Sequence, residues 1–216
     1  MDSHLKSCID LNIRDFKSEI RRKMLQERNA HSSSELDALS TSIFTQLLAL
    51  DRLRDAQTVC TYVHIGSEVR TTELIHWALS EGKSVLVPII DKTRTTLRFS
   101  EIKDLDRELE PGTFGVLEPK SEFRRITSLE KADAILVPGV AWDLRGYRLG
   151  YGAGLYDRSI NALQTPKWKI GLAFTFQIIP ELPASRFDTR VEQIVSDRRT
   201  ITTISEPDQE ARNQNK

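Results

Sequence analysis

The stretch that decides the fold is ADAILVPGVAWDLRGYRLGYGAGLYDR, residues 132–158. Its first ten residues, 132–141, are almost all apolar or small, which predicts a buried strand. Four of the chain's ten glycines follow within residues 145–158, and the segment 154–163 then has the composition of a helix. A strand, a glycine-rich turn and a helix in succession are typical of α/β proteins with a parallel sheet.

The same alternation extends outward from this stretch. The segment 71–82 predicts a helix that ends at Gly82, whereas 104–120 is predicted to be mostly loop. Alternating strands and helices favour right-handed βαβ units, and therefore a mostly parallel sheet covered on both faces. The predicted fold is a single-domain, three-layer α/β/α structure. Its further strands are predicted at 58–65, 84–90, 96–102, 169–176, 190–197 and 199–204.

A helical N-terminal segment precedes the sheet. From about Asp10 to Asn29, apolar residues recur at helical spacing, namely Ile13, Phe16, Ile20 and Met24. Lys17, Arg21 and Arg28 follow the same period one position further round the helix, so they form a basic stripe. The stripe is either a solvated helix face or, through Lys17 and Arg21, a source of charges for a triphosphate, and the spacing leaves both interpretations open.

Local signals divide the chain further. Ser32 and Glu35 resemble a capping box, which predicts the start of a second amphipathic helix. The tail contains almost no apolar residues, and such segments do not bury enough surface to fold. We therefore predict a flexible N-terminus at 1–9, one α/β domain at 10–204 and a disordered tail at 205–216.

Composition excludes several classes of protein. The 31 Lys and Arg residues balance the 31 Asp and Glu residues, which argues against nucleic-acid binding driven by net charge. Cys8 and Cys60 lie far apart, which argues against a disulfide framework or a structural zinc site. No apolar run reaches the ~20 residues of a membrane span. The start, MDSHLKSCIDLNIRD, lacks a signal-peptide apolar stretch and contains acidic residues, so we expect a cytoplasmic protein.

The loops beyond the carboxyl ends of the strands are where an open α/β sheet binds its ligands. In the glycine-rich loop, backbone N–H groups can approach an anion closely, and Arg148 can add a charged fork for phosphate oxygens. Asp157 can contribute an oxygen ligand for Mg²⁺. The glycine spacing matches neither the P-loop nor the Rossmann pattern, so a flexible surface loop stays an alternative. Glu68 can either accept hydrogen bonds from a heterocycle or serve as a carboxylate near a helix N-terminus.

Five blocks, in order along the chain, resemble the 5-formyltetrahydrofolate cyclo-ligase family, also called methenyltetrahydrofolate synthetases. The resemblance covers about Lys17 to Ile204. The blocks are KSEIRRKMLQER at 17–28, TYVHIGSEVRTTELIHWALSEGKSVLVP at 61–88, FGVLEP at 114–119, VPGVAWDLRGYRLGYGAGLYDR at 137–158 and IGLAFTFQIIPELPASRFDTRVEQIVSD at 170–197.

This resemblance implies an ATP- and Mg²⁺-dependent ring closure on a reduced folate. ATP would phosphorylate the formyl oxygen of 5-formyltetrahydrofolate to give an iminium phosphate. The neighbouring anilino nitrogen would then attack the activated carbon, phosphate would leave, and 5,10-methenyltetrahydrofolate and ADP would result. Phosphoryl transfer needs mainly positioning and charge neutralisation, so no nucleophilic Ser or Cys is required.

The resemblance also implies residue roles. Lys17 and Arg21 would contact the ATP phosphates, and Lys17, Arg148 and Asp157 would be catalytic. Asp157 and Asp188 would hold Mg²⁺. The nucleotide loop would comprise Arg148, Leu149, Gly150, Tyr151, Gly152, Ala153, Gly154, Leu155 and Tyr156. The folate would contact Val63, Glu68, Tyr151, Gly152, Ala153, Gly154 and Leu155, with Glu68 accepting hydrogen bonds from the pterin.

Some positions depart from the family pattern. Leu155 stands where Tyr is usual, Ala153 where Gly is common and Glu192 where Asp is usual, while Tyr151 occupies a variable position. An alternative function is therefore a non-catalytic folate- or nucleotide-binding protein with the same fold. A third alternative is a sugar-phosphate or small-anion binding module. The residues assigned above to the ATP phosphates and to the pterin argue against it. We expect a monomer or weak dimer whose partners are small molecules, with no nucleic acid and no membrane.

Overall fold

A computed structural model describes residues 3–91, 93 and 95–203, without the side chains of residues 3–12 and Phe114. The predicted disordered tail at 205–216 lies outside the described residues, as do the first two residues of the predicted flexible N-terminus at 1–9. From Ser3 onward the backbone is helical, so the first helix begins earlier than the predicted start near Asp10. The flexibility of both termini stays a prediction.

The helices and strands of the described residues alternate along much of the chain. The helices are α1 (Ser3–Ala30), α2 (Ser33–Leu48), α3 (Asp51–Asp55), α4 (Thr72–Ser80), α5 (Leu105–Glu108) and α6 (Leu155–Asn161). The strands are β1 (Thr58–Cys60), β2 (Ser84–Ile89), β3 (Arg98–Ile102), β4 (Leu109–Pro111), β5 (Leu117–Pro119), β6 (Arg125–Thr127), β7 (Ala134–Val137), β8 (Ala141–Asp143), β9 (Arg148–Leu149), β10 (Trp168–Ala173), β11 (Ile178–Ile179), β12 (Gln193–Ser196) and β13 (Thr200–Thr202). Short 3-10 helices lie at Thr113–Gly115, Ser121–Phe123, Leu129–Lys131 and Thr175–Gln177.

The main sheet is mostly parallel, as predicted. Its strand order within the described residues is β13-β12-β10-β7-β1-β2-β3-β6. The five strands from β12 to β2 run parallel. β13 and β3 run antiparallel to them, and β6 pairs antiparallel with β3. From β1 the chain passes through α4 to β2 on one side, and from β7 it passes through α6 to β10 on the other. The strand order therefore reverses between β1 and β7, which opens a crevice beyond the carboxyl ends of these two strands.

Helices cover both faces of this sheet because alternate strand side chains point in opposite directions. One core cluster joins Leu136 to Ile43 of α2 and Leu74 of α4. A second cluster joins Ile135, the preceding residue of β7, to Ile160 of α6. The predicted three-layer α/β/α architecture is confirmed. None of the helices in the described residues is both long and apolar enough to cross a membrane.

One local prediction agrees with the structure and two differ. Ser32 and Glu35 form the predicted capping box, in which the Ser32 N–H donates to Glu35 Oε2 at 2.8 Å. The predicted strand 58–65 is only three residues long, because the chain beyond Cys60 leaves the sheet to form a loop at the crevice. The segment 104–120 is not mostly loop. It folds because Asp104 caps α5 and a buried Glu108 pairs with a guanidinium from β6.

A smaller sheet, ordered β11-β8-β9, carries the glycine-rich region. The predicted strand 132–141 is therefore divided into β7 in the main sheet and the start of β8. The turn from β8 to β9 is held by Asp143, whose side chain has no exposed surface. Its carboxylate accepts hydrogen bonds from the N–H groups of Arg145, Tyr147 and Leu182 at 2.9–3.0 Å, and from the Arg145 guanidinium at 2.8 Å. These bonds join the turn to the segment before β12.

Trp142 ties the two sheets together. Its ring is fully buried, and its Nε1 donates to the Leu172 carbonyl at 3.2 Å. A Cβ atom on Gly171 would lie 2.5 Å from the indole ring. We expect Gly171→Ala to lower the free energy of unfolding by about 1–3 kcal/mol, because the added methyl overpacks the core. Urea denaturation measures this, and Gly150→Ala, where the methyl has no atom within 4 Å, should change it by less than about 0.5 kcal/mol.

Removing the Asp143 carboxylate should lower the free energy of unfolding at least as much as Gly171→Ala does. Asp143→Ala leaves three backbone N–H groups without their acceptor, and we expect a loss of about 3 kcal/mol in the free energy of unfolding. Glu181→Ala is the matched control, since Glu181 also pairs with Arg145 at 2.8 Å but is 72% exposed. The control should cost less than about 1 kcal/mol. Equal losses in the two variants would contradict the central role of Asp143.

Candidate active site

Helix α1 lies across the mouth of the crevice. It is anchored by Ile20 and Met24, which pack against a small core cluster formed by Ala141, Leu149 and Leu182 of the smaller sheet and its neighbouring segment. The basic stripe lies one position round the helix from these apolar residues, so the anchoring directs the stripe toward the glycine-rich loop. The packing of α1 thus decides which loops its cations reach.

The first two cations of the stripe contact two different segments. Lys17 Nζ donates to Asp188 Oδ2 at 3.2 Å, and the two side chains are about a quarter exposed. Arg21 Nε donates to the carbonyl oxygen of Gly150 at 2.9 Å. The structure therefore brings Arg21 to the glycine-rich loop, and Lys17 to the adjoining segment at Asp188. The alternative of a purely solvated helix face does not describe these two residues.

The glycine-rich loop presents an open backbone surface beside Arg21. Gly152 has φ +108° and Gly154 has φ +63°, backbone conformations that side chains rarely allow. A Cβ on Gly152 would meet only Arg21 Nη2, at 3.8 Å, among the described atoms. Helix α6 begins at Leu155, so it is shorter than the predicted 154–163. The loop has room for a ligand to approach its backbone.

Two polar atoms behind this loop are buried without a hydrogen-bond partner among the described residues. They are Arg148 Nη1 and the Tyr156 hydroxyl. Arg148 Nη1 lies 3.0 Å from Asp157 Oδ1, so the two charges form an ion pair, but the N–H is not aligned for a hydrogen bond. The Arg148 side chain is only 5% exposed. Buried polar atoms normally find partners, so this pair of atoms suits the polar groups of a bound ligand.

The two carboxylates predicted to hold Mg²⁺ lie on adjoining segments. Asp157 Oδ1 accepts a hydrogen bond from the N–H of Thr189 at 3.0 Å, and Asp188 is the residue before Thr189. Asp188 Oδ2 also accepts from the N–H of Ser185 at 2.8 Å. In the described part of the chain, no three His, Cys, Asp or Glu side chains are grouped so that they could hold a metal ion. The two carboxylates are thus neighbours without forming a protein-only metal cluster.

Glu68 lies on the opposite wall of the crevice, in the loop after β1. It is 6% exposed, and its Oε2 accepts a hydrogen bond from the N–H of Ile65 at 3.1 Å. Burial raises the pKa of Glu68, and the Ile65 N–H and the nearby charge of Arg28 act in the opposite direction. Its hydrogen bond lies within its own loop, and α4 has no side-chain cap. The helix-terminus interpretation of Glu68 is therefore not supported.

Three other predicted residues pack their side chains into core clusters, and Glu192 lies at the amino end of β12, away from the crevice. Val63 packs into the core cluster of α4 and β2, and Leu149 into the cluster beneath α1, so a ligand contact from either would come from the backbone. Leu155 packs against the second core cluster. Glu192 pairs with Lys169 at 2.6 Å, on a strand of the main sheet. The Leu155 departure therefore preserves packing, and the Glu192 departure retains an ion pair.

Arg28 is the residue of this site that the sequence interpretation left out. It is 3% exposed, and its guanidinium donates to the Tyr151 hydroxyl at 2.6 Å and to Ser67 Oγ at 3.0 Å. The signal was its place in the basic stripe, seven positions after Arg21. The spacing of charged residues does not show that the last residue of the basic stripe is buried. The burial of Arg28 was therefore not predictable from the sequence.

Known proteins resemble this chain in sequence over most of its length. The chain matches the 5-formyltetrahydrofolate cyclo-ligase family over residues 13–197. It is 29% identical over 190 residues to the 5-formyltetrahydrofolate cyclo-ligase of Mycolicibacterium smegmatis, which covers 87% of this chain and 97% of the relative.

Solved structures are also similar. The NMR structure of Aquifex aeolicus 5,10-methenyltetrahydrofolate synthetase superposes with a TM-score of 0.76 at 31% identity, over 89% of this chain and 95% of that one. A 5,10-methenyltetrahydrofolate synthetase from Mycoplasma pneumoniae gives 0.68 at 25% identity, over 84% and 98%. Sequence and fold thus agree over most of the length, and the chain belongs to the 5-formyltetrahydrofolate cyclo-ligase family.

Proposed function

We propose that this chain uses ATP to convert 5-formyltetrahydrofolate into 5,10-methenyltetrahydrofolate, with release of ADP and phosphate. The observation that carries the proposal is that one crevice has a cationic group in one wall and a carboxylate in the other. One wall holds the buried Arg148 guanidinium, whose Nη1 is ion-paired with Asp157 but makes no hydrogen bond among the described residues, and the other holds the buried Glu68 carboxylate. An anionic co-substrate and a heterocycle rich in N–H donors match these two ends.

The phosphate end is supported by charge and by space. Arg21 reaches the glycine-rich loop from α1, Lys17 reaches the adjoining segment at Asp188, and Arg148 reaches the loop from β9. Three cations around an open backbone loop can neutralise the charge that develops when a phosphoryl group is transferred. These side chains would bind and orient the triphosphate toward the formyl oxygen of the folate.

The folate end is supported by the chemistry of a buried carboxylate. An ionised carboxylate offers about four acceptor positions, of which the Ile65 N–H uses one. The remaining positions suit the amino group and ring N–H of a pterin. A pterin bound there would place its formyl group in the crevice toward the glycine-rich loop.

Mg²⁺ fits the residues present, and Asp157 and Asp188 would hold it. Mg²⁺ at nucleotide sites is usually bound by one or two carboxylates together with phosphate oxygens and water, so a protein-only group of three ligands is not required. The ion would neutralise negative charge on the phosphates during transfer. The adjoining positions of the two carboxylates support this assignment.

Three further properties stay predictions. They are a cytoplasmic location, a monomeric or weakly dimeric state, and the absence of nucleic-acid or membrane partners. The balanced charge of the chain supports the last of these.

The function is tested directly by mixing the protein with 5-formyltetrahydrofolate and Mg-ATP. We expect the absorbance of the methenyl product to appear, and to be lost when either ATP or Mg²⁺ is omitted. Stoichiometric ADP release should accompany it. Binding of the folate without any ATP-dependent product would instead establish the alternative, a non-catalytic binding protein.

Asp157→Asn tests the metal assignment. The amide oxygen can still accept the hydrogen bond from Thr189, so the fold should persist, but an uncharged ligand binds Mg²⁺ more weakly. We expect kcat to fall by at least about 100-fold, or the Mg²⁺ concentration for half-maximal rate to rise by at least about tenfold. Asp51→Asn is the control, since Asp51 is 81% exposed on α3. An Asp157→Asn variant with unchanged rate and Mg²⁺ dependence would refute the role.

A further inference from the structure

Helix α1 delivers cations to both ends of the crevice. Lys17 and Arg28 lie 11 positions apart, which at 1.5 Å per residue separates them by roughly 16 Å along the helix axis. Lys17 lies beside the proposed phosphate end, whereas Arg28 lies beside Glu68 at the proposed folate end. Arg28 therefore serves a different purpose from the other two cations of the stripe.

Arg28 forms hydrogen bonds to two loops that lie far apart in the sequence. Its Nη2 donates to the hydroxyl of Tyr151 in the glycine-rich loop at 2.6 Å, and its Nε donates to Ser67 in the loop after β1 at 3.0 Å. Glu68 directly follows Ser67 in the same loop. The side chain of Tyr151 is otherwise 57% exposed, so the hydrogen bond from Arg28 is what holds its hydroxyl against the crevice wall.

We propose that Arg28 is a positioning residue for the folate: it holds Tyr151 and the Ser67–Glu68 loop together and brings its positive charge to the Glu68 end of the crevice. The inference rests on the proposed function, because it assigns to Arg28 the maintenance of the folate end of that site. Arg28 acts through Glu68 and Tyr151 and need not touch the reacting atoms.

The surroundings of Glu68 explain why a buried cation is needed. Burial raises the pKa of Glu68, and within the described part of the chain the positive charge of Arg28 acts against that increase. The other titratable groups around it are Tyr62 after β1, Tyr151 in the glycine-rich loop and Tyr156 in α6. A protonated Glu68 would lose acceptor positions, and the N–H donors of a pterin would lose their partners.

The direction of the pH dependence follows from this arrangement. Because the pKa of Glu68 is raised above its ordinary value of 4.5, the ionised fraction falls as the pH is lowered through that raised value. Folate affinity should fall with it. Removing the charge of Arg28 raises the pKa of Glu68 further, so the loss of affinity should begin at a higher pH.

The test is equilibrium binding of 5-formyltetrahydrofolate in the absence of ATP, measured by calorimetry from pH 5.5 to 9. For Arg28→Met we expect the acidic fall in affinity to begin at a higher pH than in the wild type, with Kd weakened by roughly tenfold on the acidic side of the profile. Affinity should recover at pH 9, which a merely misfolded site would not do. Arg28→Lys restores the charge and should return the profile part of the way.

Two further variants sharpen the result. Tyr151→Phe removes the exposed hydroxyl that accepts a hydrogen bond from Arg28 at 2.6 Å, and should shift the profile in the same direction by a smaller amount. Arg22→Met is the matched control on α1, because Arg22 is 62% exposed and pairs with Glu19. The control should leave the profile unchanged. Binding of a non-hydrolysable ATP analogue should change by less than about twofold in Arg28→Met.

The outcomes separate this inference from the proposed function. Wild-type protein that binds folate but forms no methenyl product would defeat the proposed activity, while the pH profile would still decide the role of Arg28. An Arg28→Met profile that coincides with that of the wild type would overturn the inference, as would a loss of affinity equal at every pH. If Arg28→Met does not fold, an unshifted Tyr151→Phe profile would overturn it.

Discussion

The hydrogen bonds of the buried Asp143 carboxylate are the constraint on which the rest of the site depends. They fix the turn between β8 and β9 and tie it to the Leu182 segment. That joined surface is what Ile20 and Met24 pack against, so it sets the position of α1. The cations of α1 then reach their loops as a consequence of packing. A single desolvated carboxylate thus aligns a helix that is distant from it in sequence.

The strand order of the main sheet creates the crevice, and helix α1, which crosses it, supplies most of its positive charge. The reversal of strand order between β1 and β7 leaves two loops facing each other, one with Glu68 and one with the glycines. Neither loop contains all of the charge that the site needs. Helix α1 supplies the missing cations from outside the sheet, so a polar helix face becomes the third wall of the site.

The sequence predicted much of this because its strongest signals are local. The strand and glycine pattern around 132–158, the capping box at Ser32 and the period of the basic stripe each depend on neighbouring residues only. The division of 132–141 between two sheets and the early end of β1 depend on tertiary packing that a local pattern does not contain. The burial of Arg28 was missed for the same reason, since a stripe looks alike whether its end is solvated or enclosed.

The two ion pairs at the glycine-rich region carry a consequence for the order of binding. Lys17 is paired with Asp188 and Arg148 with Asp157, so the groups proposed for phosphate and for metal neutralise each other in the free protein. A metal ion that bound without nucleotide would leave the two cations without their carboxylate partners. A nucleotide that bound without metal would leave the two carboxylates without their cation partners. In either case, charges would remain unpaired in a partly desolvated site. The metal–nucleotide complex brings partners for both at once. Binding of this complex would therefore exchange the ion pairs within the protein for ion pairs with the ligand, and the local charge would stay balanced.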